Sequence, residues 1–290
     1  MDIITKIFQH KPRTFSFELF PPKTPQGHTK LLDTVAQLCA LGPDFFSCTY
    51  GAGGGNREKT LDIVEHIQNT RHVPAMAHLT CVLHTKDEIK TILEEMKRRG
   101  ITNVLALRGD PPKDNPGWTP GPAHFKYSCD LVAFIRAHFG NFFCIGVAGF
   151  PEGHALAPDR DFDARILKGK IDAGADFVIT QLFFNNQDYF DYVARLGKLG
   201  VAMRVIPGIL PITDYPALLR FCGACGASVP TKVRDIFQPI ADNPDQTLQA
   251  GIAFAVEQCR ELLRRGAPGL HFYTLNKASP VDVVLTKVLE

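Results

Sequence analysis

No stretch of this 290-residue chain approaches the ~18 uninterrupted apolar residues that a membrane-spanning helix needs, so none is expected. The opening MDIITKIFQHKPR has neither a long apolar core nor a small-residue cleavage site, which speaks against a secretory leader. An excess of one charge is also missing. Lys and Arg number 32 against 30 Asp and Glu, and the basic residues do not cluster, so a nucleic-acid partner is not expected. Eight cysteines run from Cys39 to Cys259 without a disulfide framework; in a chain with no leader they read as reduced thiols of a cytoplasmic protein. Cys222 and Cys225 have CxxC spacing but no second pair and no thioredoxin context, so they read as incidental. There is no GxxxxGK[ST] loop, and the glycine-rich GAGGGN at 51–56 fails the GxGxxG pattern at Asn56. With no HExxH or HxH pair either, no metal is expected.

What the chain does have is a repeated pattern. Eight short apolar runs, TFSFELF (14–20), FFSCTYG (45–51), AMAHLTC (75–81), NVLALRG (103–109), CIGVAGF (144–150), FVITQLFF (177–184), VIPGIL (205–210) and GLHFYTL (269–275), have strand composition and turn-forming flanks. Stretches of helical period follow them, near 28–41, 57–71, 86–100, 128–139, 161–173, 187–199, 214–224 and 245–265. The clearest is KDEIKTILEEMKRRG, where Ile89, Ile92, Leu93 and Met96 form one stripe and Gly100 ends the segment. The longer gap before the last strand leaves room for an extra helix around 231–241. Strand and helix alternating eight times predict an α/β protein, a single (β/α)8 TIM barrel spanning 1–290 as one catalytic domain. Length favours this too, because barrels of this size are routinely one domain.

A parallel barrel carries its chemistry at the C-terminal ends of its strands. Those ends are polar here: Glu18, Thr49, His78, Arg108 with Asp110, Pro151-Glu152-Gly153-His154, Gln181, and Asn276 with Lys277. Alternation puts Ser16 and Glu18 on one face of the first strand. If that face lines the barrel, an apolar mouth favours the neutral acid, the form a general acid needs; if not, Glu18 is a surface residue. Gly109 permits close backbone approach and Pro111-Pro112 stiffens the loop, while Arg108 offers donors and Asp110 an acceptor. A lone His at a strand end is more often a hydrogen-bonding group than a ligand to metal, which covers His78 and His154. Spacing and composition go no further than this and do not choose a reaction.

The segments FSFELFPPKT, SCTYGAGG, AHLTC, LALRGDPP, GFPEGH, KIDAGADFVITQLFF, IPGILPI and HFYTLNK, in this order, resemble the methylenetetrahydrofolate reductase family from about residue 14 to 278. The resemblance implies a barrel with tightly but noncovalently bound FAD that reduces 5,10-methylenetetrahydrofolate to 5-methyltetrahydrofolate, with NADH or NADPH as a transient reductant in a ping-pong cycle. It places Glu18 as the general acid that protonates the departing N-10 nitrogen, and Asp110 as the catalytic aspartate near flavin and pterin. For FAD it implicates Thr49, Tyr50, Ala52, His78, Arg108, Gly109, Asp110, Tyr127, Ser128, Phe150, His154, Asp163 and Lys170. For folate it implicates Glu18, Asp110, Gln181, Phe221, Tyr273 and Lys277. The resemblance also implies a homo-oligomer without the C-terminal regulatory domain of eukaryotic members, and so no inhibition by S-adenosylmethionine. The chain departs from the family at Phe150, where many members carry Tyr, at Ile166 and Gly169, at Ala217 in place of Gln, and at Lys277 in place of Arg. The last change loosens a bidentate contact.

Overall fold

A computed structural model describes residues 3–50, 57–111, 115 and 117–290. Eight parallel strands close into a barrel in chain order: β1 (Thr14–Leu19), β2 (Phe45–Cys48), β3 (Ala75–Thr80), β4 (Asn103–Leu107), β5 (Cys144–Gly149), β6 (Phe177–Leu182), β7 (Val205–Ile209) and β8 (Gly269–Tyr273), with β8 pairing back to β1. Around them lie α2 (Pro25–Cys39), α3 (Arg57–His66, continued by a π turn to Arg71), α4 (Lys86–Arg98), α5 (Ser128–Phe139), α6 (Arg160–Asp172), α7 (Asn186–Lys198), α8 (Tyr215–Cys225), α9 (Thr231–Phe237) and α10 (Pro244–Arg264). Two further helices, α1 (Ile4–His10) and α11 (Val281–Leu289), bracket the barrel in sequence and were not expected from the pattern. Among the described residues, no helix is long and apolar enough to cross a membrane.

The helices form where caps and apolar stripes agree. In α4, Thr85 Oγ1 accepts from Glu88 N while Glu88 Oε2 accepts from Thr85 N, a reciprocal capping box. Ile89, Ile92, Leu93 and Met96 are all buried, as the stripe requires.

Strand alternation sorts side chains into two compartments. Phe17, Leu19, Phe46, Cys48, Val104, Ile145, Leu270 and Phe272 point outward and pack under the helices. Phe45, Met76, Leu105, Cys144, Phe177 and Ile206 point inward and fill the lower barrel. α1 plugs that end. Ile4 is fully buried among the inward residues, its N–H donates to Asn103 Oδ1 at 2.9 Å, and Phe8 meets Phe177 edge-on at 5.2 Å. Burying a side chain the size of Ile4 is worth roughly 1.5–3 kcal/mol. The plug and the apolar floor close the barrel beneath the polar residues above them.

Candidate active site

One register step above the apolar floor the interior turns polar. Ser16 of β1 pairs with His271 of β8, and Glu18 pairs with Tyr273 and, on the other side, with Ser47. Glu18 is 5% exposed, so its carboxyl does sit inside the mouth. His78 Nε2 lies 3.4 Å from Glu18 Oε2 and His271 Nε2 lies 3.6 Å from the same oxygen. His271 is held from behind: its Nδ1 is 2.7 Å from Ser16 Oγ, and its Nε2 is 3.4 Å from Ser47 Oγ. Burial pushes the His78 imidazole below the usual histidine value, against the opposing pull of Glu18 and with a smaller push from His271. The His78 Nε2, although within ion-pair distance of Glu18, makes no aligned hydrogen bond and, among the described residues, is a buried polar atom without a hydrogen-bond partner.

The other expected residues ring this centre. Arg108 follows β4 and donates Nε to Gly109 O at 3.2 Å; among the described residues its terminal nitrogens make no hydrogen bond. Gly109 has φ +82°, and a Cβ there would stand 2.7 Å from Val82 Cγ1, so only glycine fits. Asp110 is exposed at the rim. Thr49 N donates to Leu19 O at 2.9 Å, and Tyr50 is buried with its hydroxyl 3.4 Å from His84 Nε2. Burial pushes the Tyr50 phenol up to about 12. Ala52 and the rest of the glycine-rich loop, like Pro112, lie outside the described residues.

On the β5 side, Phe150 and His154 meet edge-on at 4.7 Å. Lys170 is buried, donates Nζ to Ala148 O at 2.9 Å and lies 5.8 Å from the Phe150 ring. Burial lowers the Lys170 ammonium and raises the Asp163 carboxyl, each partly offset by the other. Tyr127 is exposed at the start of α5 beside the buried Ser128. Gln181 is half-buried at the end of β6, Phe221 half-buried on α8, Tyr273 half-buried at the end of β8, and Lys277 exposed.

Two outcomes depart from the residue-by-residue expectation. Asn276 belongs to the scaffold: its side chain accepts from Phe20 N at 2.8 Å and donates to Phe20 O at 2.7 Å, tying the loop after β8 to the loop after β1. His271 is the centre's unanticipated member. The signal was present in the alternation of GLHFYTL, which puts His271 and Tyr273 on the same face, but His271 sits mid-strand rather than at a strand end.

Burial also holds His84 and His154 below the usual histidine value. Such groups carry more protons when unfolded, so stability is lost as pH falls through the unfolded value of about 6.5. Asp163 acts in the opposite sense, but only nearer the carboxylate range. The melting temperature is therefore expected to fall between about pH 7.5 and about pH 5.5. A flat or rising profile would contradict neutral burial of these imidazoles.

These features place the chain among β/α-barrel proteins with a polar mouth at the strand C-termini. Within that class it belongs to the methylenetetrahydrofolate reductase family, whose profile matches residues 3–288. It is 38% identical to methylenetetrahydrofolate reductase (NADH) 1 of Arabidopsis thaliana, over 95% of this chain and 48% of that protein. It is 35% identical to 5,10-methylenetetrahydrofolate reductase of Pectobacterium carotovorum subsp. carotovorum, over 91% of this chain and 86% of that one. The chain thus spans about half the length of the longer curated relatives it matches. An uncharacterized protein from Clostridium thermocellum, which binds two copies of 5-methyl-5,6,7,8-tetrahydrofolic acid, shares the fold with a TM-score of 0.65 at 16% identity, over 98% of this chain and 96% of its own.

Proposed function

We propose that this chain reduces 5,10-methylenetetrahydrofolate to 5-methyltetrahydrofolate, with NADH or NADPH as the source of electrons and FAD as the resident carrier. The observation that carries the reading is Glu18, a carboxyl sealed into the barrel mouth between two imidazoles. Substrate opening needs such a group. The methylene bridge becomes electrophilic only as its bond to N-10 breaks, and an amine leaves readily only when protonated. Glu18 delivers that proton, with His271, backed by Ser16, standing 3.6 Å from its Oε2.

The residues present fit FAD. Among the described residues, His78 Nε2 and Thr80 Oγ1 are buried polar atoms without a hydrogen-bond partner, suited to a ligand that brings its own donors and acceptors. Arg108 spends its Nε on Gly109 O, while among the described residues its two terminal nitrogens make no hydrogen bond. Thr49, Tyr50, Ala52, His78, Arg108, Gly109, Asp110, Tyr127, Ser128, Phe150, His154, Asp163 and Lys170 would hold the cofactor. When bound, FAD supplies a two-electron carrier that nicotinamide reduces and the folate oxidises. Asp110 at the rim accepts hydrogen bonds from the pterin amino groups, Gln181 and Tyr273 contact the pterin, Phe221 stacks on it, and Lys277 pairs with a folate carboxylate.

The test uses the purified holo-protein without oxygen. Its flavin absorbance should bleach with NADH or NADPH and return on addition of methylenetetrahydrofolate. A colourless protein, or a bleached flavin that the folate does not restore, would overturn the reading.

A further inference from the structure

β6 does not run regularly into the mouth. Ile179 pairs with Ile206 and Leu182 with Gly208, so Thr180 and Gln181 together stand opposite Pro207, a β-bulge. Pro207 has no N–H for the ladder. The next donor, Gly208 N, goes to the Thr180 hydroxyl at 2.9 Å. Thr180 O accepts from the Tyr273 hydroxyl at 2.6 Å. Leu182 N donates to Gln181 Oε1 at 2.9 Å, which fixes which end of that amide is oxygen. The three strands meet without slack here: a Cβ on Gly208 would stand 2.3 Å from Thr180 O and 2.7 Å from the Tyr273 hydroxyl.

This wiring has a directional result. Gln181 uses its oxygen on its own backbone, so its NH₂ faces outward as a donor. Tyr273 uses its hydrogen on Thr180, so its oxygen is left as an acceptor. We propose that Thr180 is a positioning residue whose hydroxyl replaces the ladder step lost at Pro207, and so locks Gln181 as a donor and Tyr273 as an acceptor toward a heterocyclic ligand edge of complementary polarity. The ligand's identity as a reduced folate rests on the function proposed above. Valine has threonine's shape without its oxygen, so Thr180→Val leaves Gly208 N buried and unpaired and releases the bulge.

The experiment titrates 5-methyltetrahydrofolate into the holo-protein by calorimetry, with flavin content and melting temperature recorded for each variant. Thr180→Val should weaken binding by about tenfold, while Thr180→Ser should stay within about twofold of the unmodified protein. The limiting rate of the folate half-reaction should fall less than the affinity does. Tyr273→Phe provides a second route that leaves the Thr180–Gly208 bond in place. It should weaken binding on its own, and its effect should be less than multiplicative with that of Thr180→Val. Unchanged affinity in Thr180→Val, failure of Thr180→Ser to restore it, or fully multiplicative losses would each overturn the proposal. A wild-type protein that takes up no 5-methyltetrahydrofolate would instead remove the functional reading, and this inference with it.

Discussion

Glu18→Gln is expected to slow reoxidation of the flavin by methylenetetrahydrofolate by about 10²–10⁴-fold, the range typical for losing a general acid. Glutamine keeps the shape and hydrogen-bonding reach of the carboxyl but has no proton to give. The surrounding cage should hold, because the His271–Ser16 contact at 2.7 Å does not involve Glu18. Reduction of the flavin by NADH or NADPH needs no amine to leave, so it should change by no more than about threefold. Anaerobic stopped-flow separates the two halves. Equal losses in both would mean that Glu18 organises the mouth and does not donate a proton. The split also separates this role from that of a surface carboxylate, whose removal should alter neither half.

The residues that make this prediction possible were only partly readable from the chain. All eight strands were, because each is a compact apolar run between turn formers, although each run extends past the strand end by one to three residues. Those last residues, such as Phe183 and Phe184, stay apolar because they pack beyond the ladder. Alternation put Glu18 on the face of Ser16 but did not tell whether that face lines the barrel. α1 was not legible, because it has seven residues, no side-chain cap and one fully buried position, Ile4. Its stability comes from the barrel end it closes, a tertiary fact. α11 was hidden by Val281, Val283 and Val284, β-branched residues that count against a helix in isolation. His271 went unnoticed between Leu270 and Phe272, where an aromatic ring reads as core. Its significance depends on the β8–β1 register, which brings together residues 255 apart in sequence. The bulge at Thr180–Gln181 was likewise invisible, since Pro207 alone does not tell which neighbour compensates.

The second large effect concerns the wall of the barrel. Gly251, inside α10, is buried, and a Cβ there would stand 1.6 Å from the Ile212 carbonyl oxygen and 2.7 Å from its carbon. No rotamer relieves that clash, because both partners are backbone, so in Gly251→Ala either α10 or the segment after β7 has to move. The expected cost is about 3 kcal/mol or more, read as a melting temperature lower by roughly 6–12 °C. Gly169→Ala in α6 is the matched control. Nothing lies within 4 Å of its Cβ position, so removing a helix glycine there should raise stability by about 0.5–1 kcal/mol. Ile212 belongs to the cluster of Leu210, Tyr215, Leu218 and Phe237, against which Phe221 and Phe254 also pack. A displaced α10 therefore loosens the ground under α8, the helix that presents Phe221. Folate affinity in Gly251→Ala should fall along with stability. Lost stability with unchanged affinity would show that α8 is positioned from the mouth side and not by the helices beneath it.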